Sequence, residues 1–133
     1  MKLPDSLKIL YMIYIMGGSV ELSTIYEAAS RAYKARTCCE GYKFYSENGN
    51  IYSKDVEYDI EALESLKMIE IIKTNNTETL KLTQKGYEIA KSIENLLDRK
   101  EAKAISSVIK GDRRNKSGHN LKVFLKSIFR HPT

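Results

Sequence analysis

The stretch LESLKMIEIIKTNNTETLKLTQKG, residues 63–86, carries the clearest structural signals in this sequence. Residues 68–73 are rich in apolar and β-branched side chains and predict a strand, and residues 79–82 predict a second one. The polar residues 74–78 between them are typical of a turn, which makes the two strands an antiparallel hairpin. Thr83 is a candidate N-cap for a helix after the second strand. The stretch therefore predicts the end of one helix, a two-stranded hairpin and the start of another helix.

Three further helices are predicted upstream of this hairpin. Apolar residues with helical spacing indicate helices over residues 4–16, 24–34 and 54–67. Ser23 and Ser53 are the candidate N-caps of the second and third helix. The first helix is apolar nearly all round, which predicts burial on both sides, with a second subunit as one candidate for covering it.

Short extended segments are predicted between these helices. Residues 19–22 predict a short strand after the first helix. Residues 47–50, Glu-Asn-Gly-Asn, are a strong turn signal between the strand-like residues 42–45 and 51–52. We therefore expect a second, smaller hairpin ahead of the third helix.

The sequence after Thr83 predicts a helix as far as about residue 110, which is long for a single globular helix. Two interpretations stay open: the helix pairs with another subunit, or it breaks near residues 98–100. Residues 111–118 predict a polar, basic linker. Residues 120–130 predict a last amphipathic helix, with basic residues spaced by four on its polar face.

Charge divides the chain into two parts. Residues 1–98 contain 12 Lys/Arg and 15 Asp/Glu, whereas residues 99–133 contain 10 Lys/Arg and 2 Asp/Glu. We therefore predict a domain over residues 1–98 and a basic helical C-terminal extension over residues 99–133; whether the extension packs on the domain stays open. Such asymmetry is typical of contact with nucleic acid or an acidic partner. A solvated basic end that serves solubility is the alternative.

The predicted order of elements resembles the winged-helix fold, a relative of the helix-turn-helix in which the hairpin is called the wing. Residues 63–70 look like the end of its third helix entering the first wing strand, and residues 80–86 look like the last wing strand turning into the next helix. Both patterns are common in regulators of the PadR and MarR type. The resemblance covers about residues 4–97. It implies an α+β, mostly helical fold: a winged helix with a two-stranded wing and a C-terminal helical extension.

A lesser likeness links the chain to phage- and toxin-associated winged-helix proteins of the Panacea antitoxin sort. Those proteins have a Gly-Pro-aromatic-Ser turn ahead of the third helix, whereas Gly49-Asn50-Ile51-Tyr52-Ser53 has an extra residue here and no proline. Many winged-helix regulators dimerise through the helix after the wing. The resemblance therefore implies a homodimer formed around residues 87–109.

The resemblance also implies duplex DNA as a partner and transcriptional regulation as the function. In helix-turn-helix proteins the second helix of the motif enters the major groove, and residues 54–67 would be that helix here. It is acidic, and phosphates would repel it. The acidic residues are Asp55, Glu57, Asp59, Glu61 and Glu64, against only Lys54 and Lys67. They look like a solvated helix face.

Contacts to phosphate are expected instead from basic residues at the end of the second helix, in and after the wing, and in the extension. The candidates are Arg31, Lys34, Arg36, Lys43, Lys73, Lys81, Lys85, Arg113, Arg114, Lys116, Lys122, Lys126 and Arg130. Ordinary solvated side chains are the alternative at these positions.

A second hypothesis is a non-enzymatic protein-interaction module, an adaptor or antitoxin-like protein with the same fold. Its acidic third helix would dock a basic partner, or its extension an acidic one. An enzyme is not expected, because there are two scattered histidines, no glycine-rich phosphate loop and no paired carboxylates. No cofactor is expected either.

The adjacent Cys38 and Cys39 are expected to be reduced thiols, at least one of them packed, because no second pair exists to make a metal site; a redox or metal role is the alternative. This cysteine usage points to the cytoplasm. No signal peptide is expected, and no run approaches the roughly 20 apolar residues that a membrane span requires, so no membrane role is predicted.

Overall fold

The computed structural model describes residues 3–114, and this part of the chain contains five helices and five strands. In chain order they are α1 (Asp5–Ile15), β1 (Ser19–Glu21), α2 (Leu22–Lys34), β2 (Tyr45–Glu47), β3 (Asn50–Tyr52), α3 (Lys54–Ser65), β4 (Ile69–Thr74), β5 (Thr77–Leu82), α4 (Gln84–Leu96) and α5 (Arg99–Arg114). The predicted α+β class, with more helix than strand, is confirmed.

Strands β1, β5 and β4 form an antiparallel sheet with β5 in the middle. Leu80 lies opposite Ile71 on one side and opposite Val20 on the other, and Ile69 lies opposite Leu82. Because directly opposed residues share a face, these side chains form the apolar face of the sheet. The predicted hairpin is confirmed, and the short strand after α1 joins it as the third strand.

Helix α1 lies at the centre of the core. Its residues from Lys8 to Ile13 are all buried, and it contacts the other four helices as well as β1 and β5. The apolar surface that runs nearly all round this helix is therefore covered within one chain. A second subunit is not required to bury it.

Two predicted boundaries ahead of α3 are wrong. Helix α2 begins at Leu22 directly after β1, so Ser23 is not its N-cap, and the cap residue Glu21 makes no side-chain capping bond. The smaller hairpin pairs β2 with β3 next to the turn, later than the predicted first strand. Asn48 and Gly49 both have positive φ, 53° and 81°, as a tight two-residue hairpin turn requires, and this places pairing immediately beside them.

The long helix predicted after Thr83 breaks, as one of the two interpretations expected. Leu97 leaves the helical conformation with ψ 137°, and the Asp98 carboxylate accepts a 2.7 Å hydrogen bond from the backbone N–H of Glu101 at the start of α5. Ile105 and Ile109 of α5 are buried in the core, so this helix packs on the same domain.

The linker predicted from residue 111 is wrong for residues 111–114, which are helical. Helix α5 is anchored by buried side chains up to Ile109, and a glycine in a helix costs only about 1 kcal/mol, so Gly111 does not end it. The rest of the predicted linker and the helix predicted for residues 120–130 lie outside the described residues.

Candidate functional site

Basic residues gather at the C-terminal end of α2. Arg31 and Lys34 lie in its last turn, and Lys34 and Arg36 are exposed. The ring of Tyr33 contacts that of Phe44 with centroids 5.4 Å apart, which brings the loop with the exposed Lys43 beside this helix end. The structure thus brings together four of the predicted positions.

Helix α5 adds basic residues that were not among the predicted positions. It packs against α1 and α2 through a face that contains Ile105 and Ile109. Arg99, Lys100 and Lys103 are exposed. The helical period carried a signal for this placement, because residues 100 and 103 lie on the side of the helix away from residues 105 and 109.

The two lysines predicted in the β4–β5 hairpin project from opposite faces of the sheet. Lys73 shares the face of Ile71, and its Nζ lies 3.7 Å from Oε1 of the opposed Glu78. Lys81 lies on the other face, opposite Glu70. Each lysine is therefore next to a glutamate, and the hairpin is not a concentrated positive surface.

Lys85 has a structural contact at the junction between α3 and the sheet. Its Nζ donates a 2.9 Å hydrogen bond to the backbone carbonyl of Leu66, just after α3. Beside it the Thr83 hydroxyl donates to the Lys67 carbonyl at 2.6 Å and accepts from the Gly86 N–H at 3.0 Å. The predicted cap at Thr83 is confirmed, and the hydrogen bonds of Thr83 and Lys85 join the start of α4 to the end of α3.

The first turns of α3 are held by the segment that precedes them. The predicted N-cap is confirmed, since Ser53 Oγ accepts from the Val56 N–H at 3.3 Å. The Lys43 N–H donates to Asp55 Oδ2 at 2.8 Å, and the Tyr42 hydroxyl donates to Asp59. Burial raises the pKa of Asp59 although this hydrogen bond opposes the shift.

The prediction of a solvated acidic face on α3 is therefore wrong in part. Asp55, Glu57 and Asp59 are half-buried and accept hydrogen bonds from residues 42–52, since the Tyr52 hydroxyl donates to Glu57 Oε2 at 2.9 Å. Only Glu61 and Glu64 are exposed. The sequence could not reveal this, because Tyr42 and Lys43 belong to an irregular segment and Tyr52 to a strand of only three residues.

Residues 37–39, just after α2, are bonded to α1, in part through the buried Lys8. Lys8 Nζ donates to the Thr37 carbonyl at 3.0 Å, and the Cys39 N–H donates to Asp5 Oδ1 at 3.1 Å. Cys38 and Cys39 are free and buried. The hydrogen bond to Cys39, together with burial, raises the pKa of the Cys38 thiol, so Cys38 has the character of a packed, protonated thiol.

The remaining predicted residues belong to the end of the chain. Arg113 and Arg114 lie in the last turn of α5. Lys116, Lys122, Lys126 and Arg130 lie outside the described residues. Within residues 3–114 the structure contains no group of three or more His, Cys, Asp or Glu that could hold a metal ion. Helices long and apolar enough to cross a membrane are likewise absent from this range.

No protein-family model, no curated protein and no solved structure matches this chain.

Proposed function

We propose that the chain is a winged-helix domain that binds duplex DNA mainly through phosphate contacts. The observation that carries this proposal is the packing of α5 against α2. It packs together two helices that carry exposed basic residues, Lys34 and Arg36 at and just after the end of α2, and Arg99, Lys100 and Lys103 in α5. Exposed basic residues of this kind supply affinity for phosphate that depends on salt.

The element order and sheet topology support the winged-helix assignment. The sheet β1-β5-β4 contains a hairpin that directly follows α3 and directly precedes α4, and α3 packs against α1. In this assignment α3 is the helix that would enter a major groove. Its exposed Glu61 and Glu64 oppose that placement, and residues 42–52 already contact its first turns.

The distribution of charge determines the mode of binding. Contacts to phosphate position a protein on DNA but convey little sequence information. We therefore propose a non-enzymatic cytoplasmic regulator whose affinity for DNA is largely independent of sequence. The basic residues from Arg113 to Arg130 would add contacts, and a homodimer through the region of α4 and α5 would double them.

Fluorescence anisotropy with random-sequence duplex DNA tests the proposal. The full chain is titrated at several salt concentrations beside a variant with Lys34, Arg36, Arg99, Lys100 and Lys103 changed to Gln. The logarithm of the association constant falls as the logarithm of the salt concentration rises. Each contact to phosphate that is removed should make this slope shallower by about 0.9. A matched control, Lys73→Gln with Lys81→Gln, should change the slope little, because a glutamate adjoins each lysine. The absence of salt-sensitive binding by the full chain would contradict the proposal.

A protein-interaction module is the second candidate, and the exposed side of α3 favours it. Tyr58 is 58% exposed and lies between acidic residues on this helix. A pull-down from nuclease-treated lysate separates the two functions. A protein partner retained after the nuclease supports this candidate, whereas loss of all captured material supports DNA binding.

A further inference from the structure

The β2–β3 hairpin carries two exposed aromatic side chains. Tyr45 lies directly opposite Tyr52, so both project from the same face. Tyr52 is fixed from two directions. Its ring contacts the buried Tyr26 edge to face with centroids 5.4 Å apart, and its hydroxyl donates to Glu57 Oε2 at 2.9 Å.

Helix α3 continues this surface. Glu57, which accepts the hydrogen bond from Tyr52, and Glu61 lie four residues apart on one side of α3, and Tyr58 lies three residues before Glu61, so these side chains are neighbours on the helix surface. The hydrogen bond to Glu57 raises the pKa of Tyr52, and Tyr58 and Glu61 add to the rise. Exposed fractions are 58% for Tyr45, 39% for Tyr52 and 58% for Tyr58. We call Tyr45, Tyr52, Glu57, Tyr58 and Glu61 the tyrosine–glutamate surface. It joins three exposed aromatic faces to carboxylates.

This combination of groups selects a class of ligand. Phosphate and acidic peptides are repelled by Glu57 and Glu61, which excludes the DNA backbone as an occupant. A guanidinium group can stack on a tyrosine ring while its N–H groups bond a carboxylate, whereas a lysine ammonium is compact and strongly hydrated. The contacts of Tyr52 with Tyr26 and Glu57 also hold its ring in place before a ligand arrives, which reduces the entropy lost on binding.

We propose that the tyrosine–glutamate surface docks an arginine-rich, extended segment of a protein partner. This proposal rests on the second proposed function, the protein-interaction module, and names the kind of partner that the module would bind. It does not depend on DNA binding. Charge complementarity argues for the basic character of the segment, and the exposed tyrosine rings argue for arginine over lysine. Two neighbouring strand residues and one helix residue supply the rings, which suits a segment that passes across the hairpin and α3.

The test compares two fluorescein-labelled probe peptides of about eight residues, one with alternating arginine and glycine and one with alternating lysine and glycine. Anisotropy titrations use the full chain. The arginine peptide should bind about threefold or more tightly than the lysine peptide, because arginine stacks better on aromatic rings. Tyr45→Ala with Tyr58→Ala should abolish this preference.

Charge variants separate docking on this surface from attraction to any acidic residue. Glu57→Gln with Glu61→Gln should weaken both peptides by about tenfold. The matched control is Glu88→Gln with Glu94→Gln, two exposed acids of α4, which should leave both affinities within about twofold. Circular dichroism of each variant verifies the fold, and a conservative Tyr52→Phe variant covers the case in which a double variant does not fold.

The proposal would be overturned by no binding of the arginine peptide, by equal weakening in the surface and control variants, or by equal affinity for the two peptides. The proposal would also be overturned if the chain self-associates and the double variant Glu57→Gln with Glu61→Gln does not, because a second copy would then be the occupant. Salt-sensitive DNA binding retained by the same variants would leave the DNA proposal intact, so the two failures are distinguishable.

Discussion

The hydroxyl of Tyr42 donates a hydrogen bond to the carboxylate of Asp59, and this contact joins the irregular segment after α2 to the middle of α3. Together with the bonds to Asp55 and Glu57 it makes residues 42–52 part of the platform on which α3 rests. The acidic side chains near the start of α3 therefore have a structural role that is independent of any ligand.

Removal of this donor should destabilise the domain. Tyr42→Phe keeps the ring and leaves a half-buried carboxylate without its partner, so we expect the free energy of unfolding to fall by about 1–2 kcal/mol. Urea denaturation followed by circular dichroism measures the change. Tyr58→Phe, at an exposed ring, is the control and should change stability by less than about 0.5 kcal/mol. Equal effects of the two substitutions would show that the Tyr42–Asp59 bond does not hold the segment.

Stability should fall at alkaline pH because of Tyr26. Burial, the largest cause, raises the pKa of Tyr26 from 10.0 to about 12, with the charge of Glu57 adding to it. The folded state thus keeps a proton that the unfolded chain releases, so this contribution is fully present below pH 10 and is lost as the pH rises towards 12. Urea midpoints measured across this window should fall less steeply for Tyr26→Phe than for the unchanged chain. Parallel curves for the two proteins would contradict the assignment to Tyr26.

Gly86 should tolerate no side chain. A Cβ at this position would lie 1.9 Å from the Met68 carbonyl oxygen, and a backbone atom cannot move aside without breaking the hydrogen bond from Thr83 N–H to that oxygen. We expect Gly86→Ala to lower the free energy of unfolding by about 3 kcal/mol or more. Glu88→Ala on the same helix is exposed and should change it by about 0.5 kcal/mol at most. A fully stable Gly86→Ala protein would mean that α4 does not approach the Met68 carbonyl so closely.

The sequence predicted best where structure is local. The signals of residues 63–86 concern neighbours along the chain, and so does the cap at Ser53; the hairpin and both caps were confirmed. Long-range partners were missed, because Asp55 and Asp59 bond a segment whose path no periodicity describes. Ile71 lies opposite Leu80, and side chains alternate between the two faces along each strand, so Lys73 and Lys81 lie on opposite faces. A prediction of the strand register could therefore have placed the two lysines on different faces.

Because α5 packs on the core, we expect it to unfold together with the rest of the domain. Ile105 is 1% exposed and belongs to the same core cluster as the central residues of α1, so the start of the basic extension is structural as well as charged. Ile105→Ala should lower the free energy of unfolding by about 2–4 kcal/mol through lost burial and the cavity left behind. Lys103→Ala, on the exposed side of the helix, should change the free energy of unfolding by no more than about 0.5 kcal/mol.

Both variants are measured by urea denaturation with far-UV circular dichroism. A single transition that moves as a whole in Ile105→Ala is expected if α5 unfolds together with α1. A separate early transition, with the main one unchanged, would show instead that residues 99–109 form an independent unit.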